Sequence, residues 1–219
     1  MLMKITNCKL RKSTQKKLLE YFILEMTARS AADLLSIQPN TAALFYRKIR
    51  EVIFYNLEKD TQLMFNGIIH IDNNEYLNKC IKEENNFSNK EVIFYIIKHE
   101  KKVYTKMNLP HNHSPFITNK IIKINPDSMI TTESLHHRKF IDISKLHQER
   151  NDSTNKTKEF KKNHFNGIEN FWTHTKRILN KYNGIDRNSF QFYLKECEFR
   201  FNYGTYKQQL KTLTYWTGI

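Results

Sequence analysis

The stretch Gly67-Ile68-Ile69-His70-Ile71-Asp72 decides how the middle of this chain folds. Three isoleucines in four positions predict a buried β-strand, and this strand ends on a carboxylate, Asp72. Residues 91–97 and 102–107 form two more runs of strand-forming residues. Together the three runs predict a meander of three strands.

A helix and a further strand come after the meander. Ser114-Pro115 is typical of a helix start, and the amphipathic pattern predicts that this helix continues to about Ile124. Residues 128–132 predict a fourth strand. Three strands, a helix, a strand and then helices is the order of an RNase H-like, integrase-type mixed sheet. That fold places acidic residues at strand ends and on a later helix.

The residues before the sheet predict three helices. Ser13 is a candidate cap for a helix from Thr14 to about Met26, and a short helix follows from Ser30 to Leu35. After the turn Ser36-Ile37-Gln38-Pro39, a third helix runs from Asn40 to about Leu57. This is the pattern of a DNA-binding helix-turn-helix domain, in which the start of the last helix enters the major groove.

The third helix has two faces. Its core stripe consists of Ala42, Phe45, Ile49, Val52 and Ile53, whereas Asn40, Leu44, Arg47 and Glu51 point the other way. The residues predicted to bind DNA and its phosphates are Asn40, Thr41, Arg47, Lys48 and Arg50. A plain three-helix bundle with solvated charges accounts for the same pattern, and that alternative stays open.

Beyond the sheet the sequence predicts a polar surface loop over residues 151–162, followed by helices to the end. These helices cover residues 168–181, closed by Asn183-Gly184, and then residues 189–201 and 206–216. The prediction is therefore an α+β chain in three parts. Residues 1–60 form the helix-turn-helix domain, residues 61–182 form an RNase H-like catalytic core, and residues 183–219 form C-terminal helices that pack on that core.

Composition narrows the class of partner. The chain has 219 residues, a formal net charge of +14 and a pI near 9.6, which favours a nucleic acid. No stretch approaches the roughly 18 apolar residues of a membrane span, and no secretory signal is recognisable, so we expect a cytoplasmic protein with no membrane partner. Three scattered cysteines and five glycines do not support a zinc ribbon, a disulfide framework or a glycine-rich phosphate loop.

Three acidic residues are candidates for a metal site. Phosphodiester cleavage with two metal ions requires carboxylate ligands for hard cations. Asp72 ends the first strand, Glu133 follows the fourth strand, and Glu169 opens the helix over residues 168–181. Each has an ordinary alternative role, as a turn residue, an exposed residue or a compensation of the helix dipole. Lys176 lies two turns after Glu169 on the same helix face, where it would bind a phosphate beside the metal.

Segments from both ends of the chain resemble one family. The C-terminal ones are His164-Phe165-Asn166-Gly167-Ile168-Glu169-Asn170-Phe171-Trp172 with Lys176-Arg177 after it, and Leu194-Lys195-Glu196-Cys197-Glu198-Phe199-Arg200-Phe201-Asn202. They resemble the small bacterial insertion-sequence DDE transposases that are related to the eukaryotic Merlin elements. Residues 27–33 and 42–51 resemble the helix-turn-helix of that family.

The resemblance implies a site and a reaction. Asp72, Glu133 and Glu169 would be the catalytic and metal-binding acids, holding Mg²⁺ or Mn²⁺, and Lys176, Arg177 and His164 would bind phosphate. For His164 a packing or surface role is equally open. The implied partner is double-stranded DNA at the terminal inverted repeats, bound by a homo-oligomer.

The middle of the chain departs from the family pattern. Asn73-Asn74-Glu75-Tyr76-Leu77 stands where the family has a Glu-Ser-Tyr-Phe-Gly-Gly sequence after the first Asp, and Glu133 stands in place of the second Asp. A carboxylate moved by one methylene disturbs a catalytic constellation. The alternative function is therefore a catalytically inactive, decayed transposase that only binds DNA. A basic RNA-binding protein is a weaker alternative, because the 11 Tyr and 15 Phe lie largely at core periods.

Overall fold

The computed structural model describes residues 4–5, 8–60, 68–72, 93–99, 101–108, 129–132, 170–182 and 185–219. The predicted helix at 114–124, the predicted loop at 151–162 and the predicted stop at Asn183-Gly184 lie outside these residues. The chain divides into two compact units, one formed by Met1–Asp60 and Phe192–Ile219, the other by Thr61–Gln191.

Three helices open the first unit: α1 (Lys12–Ile23), α2 (Ala28–Leu35) and α3 (Pro39–Asp60). The predicted cap at Ser13 is wrong, because α1 begins earlier and its N-cap is Arg11, whose side chain makes no capping bond. Thr27 caps α2 through its hydroxyl, which accepts a hydrogen bond from the Ser30 backbone N–H at 3.2 Å. Between α2 and α3 the chain turns at Ser36, which adopts the left-handed conformation with φ of 50°.

The predicted core stripe of α3 is confirmed. All five of its members are buried, and they pack with residues of α1 and α2 that include Leu18, Leu19, Phe22, Ala31 and Ala32. Tyr46 and Leu57 are buried as well, which widens the apolar arc of α3 beyond the predicted stripe. A helix buried over so wide an arc needs a further element on that side.

A four-stranded sheet lies in the second unit. Its strands are β1 (Ile68–Asp72), β2 (Ile93–His99), β3 (Lys102–Asn108) and β4 (Met129–Thr132), in the order β3-β2-β1-β4. β1 to β3 form the predicted antiparallel meander, and β4 pairs with β1 in parallel. Residues 170–179 are helical and form α4.

The last two helices are α5 (Arg187–Asn202) and α6 (Tyr206–Thr217). The sequence predicts that residues 183–219 pack on the catalytic core, but residues 192–219 belong to the same compact unit as α1–α3. Phe199, Leu213 and Trp216 enter the hydrophobic core built by the N-terminal helices. The C-terminal helices are therefore the element that covers the wide arc of α3.

None of the helices in the described part of the chain combines the length and the hydrophobicity that a membrane span requires.

Candidate functional site

Asp72 is the last residue of β1, and its position in the sheet is fixed by pairing on both sides of the strand. On one side it pairs with Ile96 of the antiparallel strand β2. On the other side β1 runs parallel to β4, with Ile71 opposite Thr132, the last residue of β4. Since the two strands are parallel and in this register, their carboxyl ends reach the same edge of the sheet.

The other predicted acids are not part of the described structure. In the sequence Glu133 follows Thr132 directly, and Glu169 precedes the first described residue of α4, but both lie outside the described residues, as does His164. Among the described residues there is no group of three His, Cys, Asp or Glu side chains that could hold a metal ion. Of the predicted metal ligands, only Asp72 is described.

The α4 helix separates buried aromatic residues from exposed cations. Phe171 and Trp172 are buried with ring centroids 5.8 Å apart, and Thr175, Ile178 and Leu179 are buried further along the helix. Lys176 and Arg177 are exposed. The two predicted phosphate-binding residues therefore lie on the exposed side of a helix whose other side is buried.

The exposed surface of α3 carries most of the residues predicted to contact DNA. We call Asn40, Thr41, Leu44, Arg47 and Lys48 the α3 face. Asn40 and Arg47 are exposed, and Thr41 and Lys48 are half-buried. Arg47 donates from Nε to Glu51 Oε1 at 3.2 Å, one turn further along the helix. Such an exposed pair orients the guanidinium without contributing much stability.

Among the described residues, Arg50 is a predicted DNA contact that the structure places in the interior. Its residue exposure is only 6%, so it is not on the surface that DNA would approach. Its guanidinium donates from Nε to Glu196 Oε2 at 2.6 Å and lies 4.1 Å from the ring centroid of Tyr193. Both partners belong to α5. Arg50 therefore holds the N-terminal and C-terminal helices together.

Glu196 is the centre of a buried ionic cluster that sequence reasoning missed. Its second carboxylate oxygen, Oε1, accepts hydrogen bonds from Arg200, with Nε at 2.9 Å. Burial by itself would raise the pKa of the Glu196 carboxyl, but the charges of Arg50 and Arg200, and their hydrogen bonds to it, outweigh this and hold the pKa below its ordinary value. Glu196 is thus a carboxylate with a cation on each oxygen.

Arg200 also closes the end of α1. Its two terminal nitrogens donate to the backbone carbonyl oxygens of Ile23 at 2.9 Å and Phe22 at 2.6 Å. Carbonyls in the last turn of a helix have no partner within the helix, and a cation placed there also matches the helix dipole. The Arg200 side chain of α5 thereby provides hydrogen bonds to the last carbonyl groups of α1.

A second ion pair joins α3 and α5. Lys195 of α5 donates to Glu198 Oε2 at 2.7 Å and lies 3.2 Å from Glu58 Oε1 of α3. The signal for these ion pairs is present in the sequence as four charged residues of both signs within Leu194–Asn202. Their partners, however, lie near the start of the chain, so local periodicity could not identify them.

Comparison with known proteins gives a consistent match. Residues 64–202 match the model of the ISXO2-like transposase domain, a range that contains Asp72, Glu133 and Glu169 as well as Glu196 and Arg200, the members of the ionic cluster that lie on α5. A protein of Haemophilus influenzae described as an "Uncharacterized transposase-like protein" is 44% identical over 94 residues, which cover 42% of this chain and 73% of that protein. No solved structure matches the chain.

Proposed function

Because the chain belongs to the ISXO2-like transposase family, we propose that it cuts and joins DNA strands at the terminal inverted repeats of an insertion sequence. The observation that carries this proposal is the position of Asp72 at the end of β1, beside the parallel strand β4. Asp72 ends a strand that is parallel to β4, and the residue that follows β4 in the sequence is Glu133. Two carboxylates that leave adjacent parallel strands at one sheet edge are a suitable start for a metal site.

We further propose that the sheet belongs to an RNase H-like core. The strand order β3-β2-β1-β4, with an antiparallel meander and one parallel neighbour of β1, supports this proposal. In this core Asp72, Glu133 and Glu169 are the catalytic acids. Glu169 would come from the start of α4, whose buried Phe171 and Trp172 anchor the helix.

The donor set fits a hard divalent cation. Three carboxylates and no cysteine or histidine among the proposed ligands favour Mg²⁺ or Mn²⁺ over a softer metal. When bound, such ions activate the attacking oxygen and neutralise the charge that develops on the leaving oxygen. The acids of this chain hold the cations, while Lys176, Arg177 and His164 bind the phosphates of the strand that is cut.

DNA recognition belongs, in this proposal, to the helix-turn-helix formed by α2 and α3. The α3 face offers the exposed Asn40 and Arg47 together with the half-buried Thr41 and Lys48, and the net charge of +14 favours a polyanion. The buried Arg50 supports this surface from inside instead of contacting DNA. Because two DNA ends must be joined, we propose that a homo-oligomer in the cytoplasm acts on them.

A catalytically inactive, decayed transposase that only binds DNA is the second candidate function, because Glu133 stands where the family has Asp. Such a protein would bind the terminal repeats and leave them intact. Both candidates share the α3 face, and they differ only in whether the bound DNA is then cut.

A cleavage assay tests the proposal. The full-length protein is incubated with a duplex that carries the DNA ends flanking its own gene, in Mn²⁺ and separately in EDTA, and the strands are separated on a denaturing gel. Metal-dependent cuts at the element boundary that disappear in Asp72→Asn are expected. Glu20→Gln in α1 changes the charge by the same amount and should cleave like the wild type.

Three other outcomes have distinct meanings. Binding without cleavage, with cleavage restored by Glu133→Asp, would identify a decayed transposase. Cleavage that persists in Asp72→Asn would overturn the assignment of this acid. Preferential binding of single-stranded RNA over the duplex would reject the DNA-binding proposal.

A further inference from the structure

Leu44 is an exposed apolar side chain in the middle of a polar surface. It retains 60% of its accessible surface, although the helix on which it lies contributes a wide arc to the core. Asn40 and Thr41 precede it by one turn, and Arg47 and Lys48 follow by one turn. These spacings put all four around Leu44 on the same side of the helix. Leu44 is therefore the apolar centre of the α3 face.

The fold does not require a leucine at this position. Other residues of α3 contribute to the core of the unit. Leu44 belongs neither to that core nor to the partly buried residues that pack against the core. An exposed leucine on its own is common on protein surfaces. The informative feature is its setting, since the residues three and four positions before and after it carry amide, hydroxyl and cationic groups.

The setting identifies the kind of partner. A second protein would require an apolar patch of several side chains, whereas the α3 face has a single one among groups that suit phosphates and base edges. In the major groove, asparagine pairs with adenine and arginine with guanine or phosphate, and the thymine C5-methyl is the apolar group presented there. One apolar side chain among polar ones matches that surface.

We infer that Leu44 is a specificity-determining residue that contacts the C5-methyl group of a thymine in the major groove of the terminal repeat. This inference rests on the proposed DNA-binding role of α3 and adds to it the base that is read. Arg47, held by Glu51 at 3.2 Å, and Lys48 position the helix on the phosphates. Leu44 then distinguishes thymine from cytosine and from uracil.

Replacement of thymine by uracil tests the inference, because it removes only the methyl group and leaves base pairing intact. A duplex is first selected from a random pool with the full-length protein, and each thymine in the selected site is then replaced by uracil in turn. Loss of one buried methyl contact should weaken binding by about fourfold. The expected result is a loss of this size at one thymine of the selected site for the wild type and none for Leu44→Ala.

Leu24→Ala is the matched control, since Leu24 is similarly exposed, at 58%, but lies in the turn after α1. It should keep the full uracil penalty. If the wild type selects a duplex but no uracil replacement weakens binding, or if Leu44→Ala retains the penalty, the inference is wrong while the DNA-binding proposal stands. If no duplex is selected at all, both fail together. A Leu44→Ala variant whose only change is its oligomeric state would identify a protein contact and overturn the inference.

Discussion

Arg50 and Glu196 are 146 positions apart in the chain, and they meet in a buried ion pair with an Nε–Oε2 distance of 2.6 Å. The pair joins α3 to α5, and Arg200 extends it to the end of α1. The buried charge of Arg50, which lies within residues 1–60, is therefore neutralised by a residue from outside that range. The unit that carries the α3 face is built from both ends of the chain, with the sheet-containing unit inserted between them in the sequence.

Removing the shared carboxylate should strongly destabilise the protein. Glu196→Ala leaves two buried guanidinium groups without their counter-charge, and breaking a buried pair from one side costs about 3–5 kcal/mol. Urea unfolding followed by circular dichroism measures this loss. Glu51→Ala is the control, because it removes the exposed partner of Arg47, and its effect should stay below about 1 kcal/mol. Equal effects of the two substitutions would show that the buried cluster has no special role.

The same carboxylate should make stability depend on pH. The pKa of Glu196 in the folded protein lies below its ordinary value of 4.5, so the group is ionised more readily when folded than when unfolded. Its contribution is therefore fully present above pH 4.5 and is lost as the pH falls below that value through the folded pKa. The free energy of unfolding, measured by urea titration from neutral to acidic pH, should fall less steeply below pH 4.5 for Glu196→Gln than for the wild type. Parallel curves for the two proteins would contradict the assignment.

Trp216 provides the apolar counterpart of the ionic cluster. It is only 8% exposed, and its ring centroid lies 5.5 Å from that of Phe199 and 5.7 Å from that of Tyr203. Trp216→Ala should cost about 3–5 kcal/mol, the usual range for a buried large aromatic residue. The neighbouring Tyr215 is 68% exposed, and Tyr215→Ala should change stability by less than about 0.5 kcal/mol. Thermal unfolding of both variants makes the comparison, and a similar melting temperature for the two would show that α6 does not complete the core.

Periodicity predicted the parts of the fold whose partners are close in sequence or whose pattern is regular. The stripe from Ala42 to Ile53 and the strand ending at Asp72 are of this kind, since helix and strand periods depend on neighbouring residues. The sequence placed Arg50 on the DNA-binding surface because this residue lies at the margin of the apolar stripe, whereas the structure buries it. Whether such a residue is exposed or buried depends on Glu196, and nothing in the local sequence indicates a partner so far away.

The candidate site was predictable to a smaller extent. The position of Asp72 at a strand end followed from the run of isoleucines before it. The parallel neighbour β4 is a long-range pairing, which the strand order suggested only by likeness to a known fold. The start of α1 was also predicted incorrectly. Ser13 is a suitable capping residue, but the helix begins at Lys12, and the Gln15 side chain donates to the Leu10 carbonyl just before it at 2.6 Å.

The two arginines of α3 should separate DNA binding from stability. Arg47 is exposed, with 65% of its side chain accessible, so Arg47→Ala should leave the unfolding free energy nearly unchanged and weaken duplex binding. If it contacts one phosphate, the slope of log affinity against log salt concentration should become shallower by about 0.9. Arg50→Ala should instead unfold at lower denaturant, because it removes the cation from one oxygen of the buried Glu196 carboxylate and leaves Arg200 on the other. At temperatures where the variant is folded, its salt slope should equal that of the wild type, since no phosphate contact has been removed. Fluorescence anisotropy of a labelled duplex at several salt concentrations measures both slopes, and a reduced slope for Arg50→Ala would return this residue to the DNA surface.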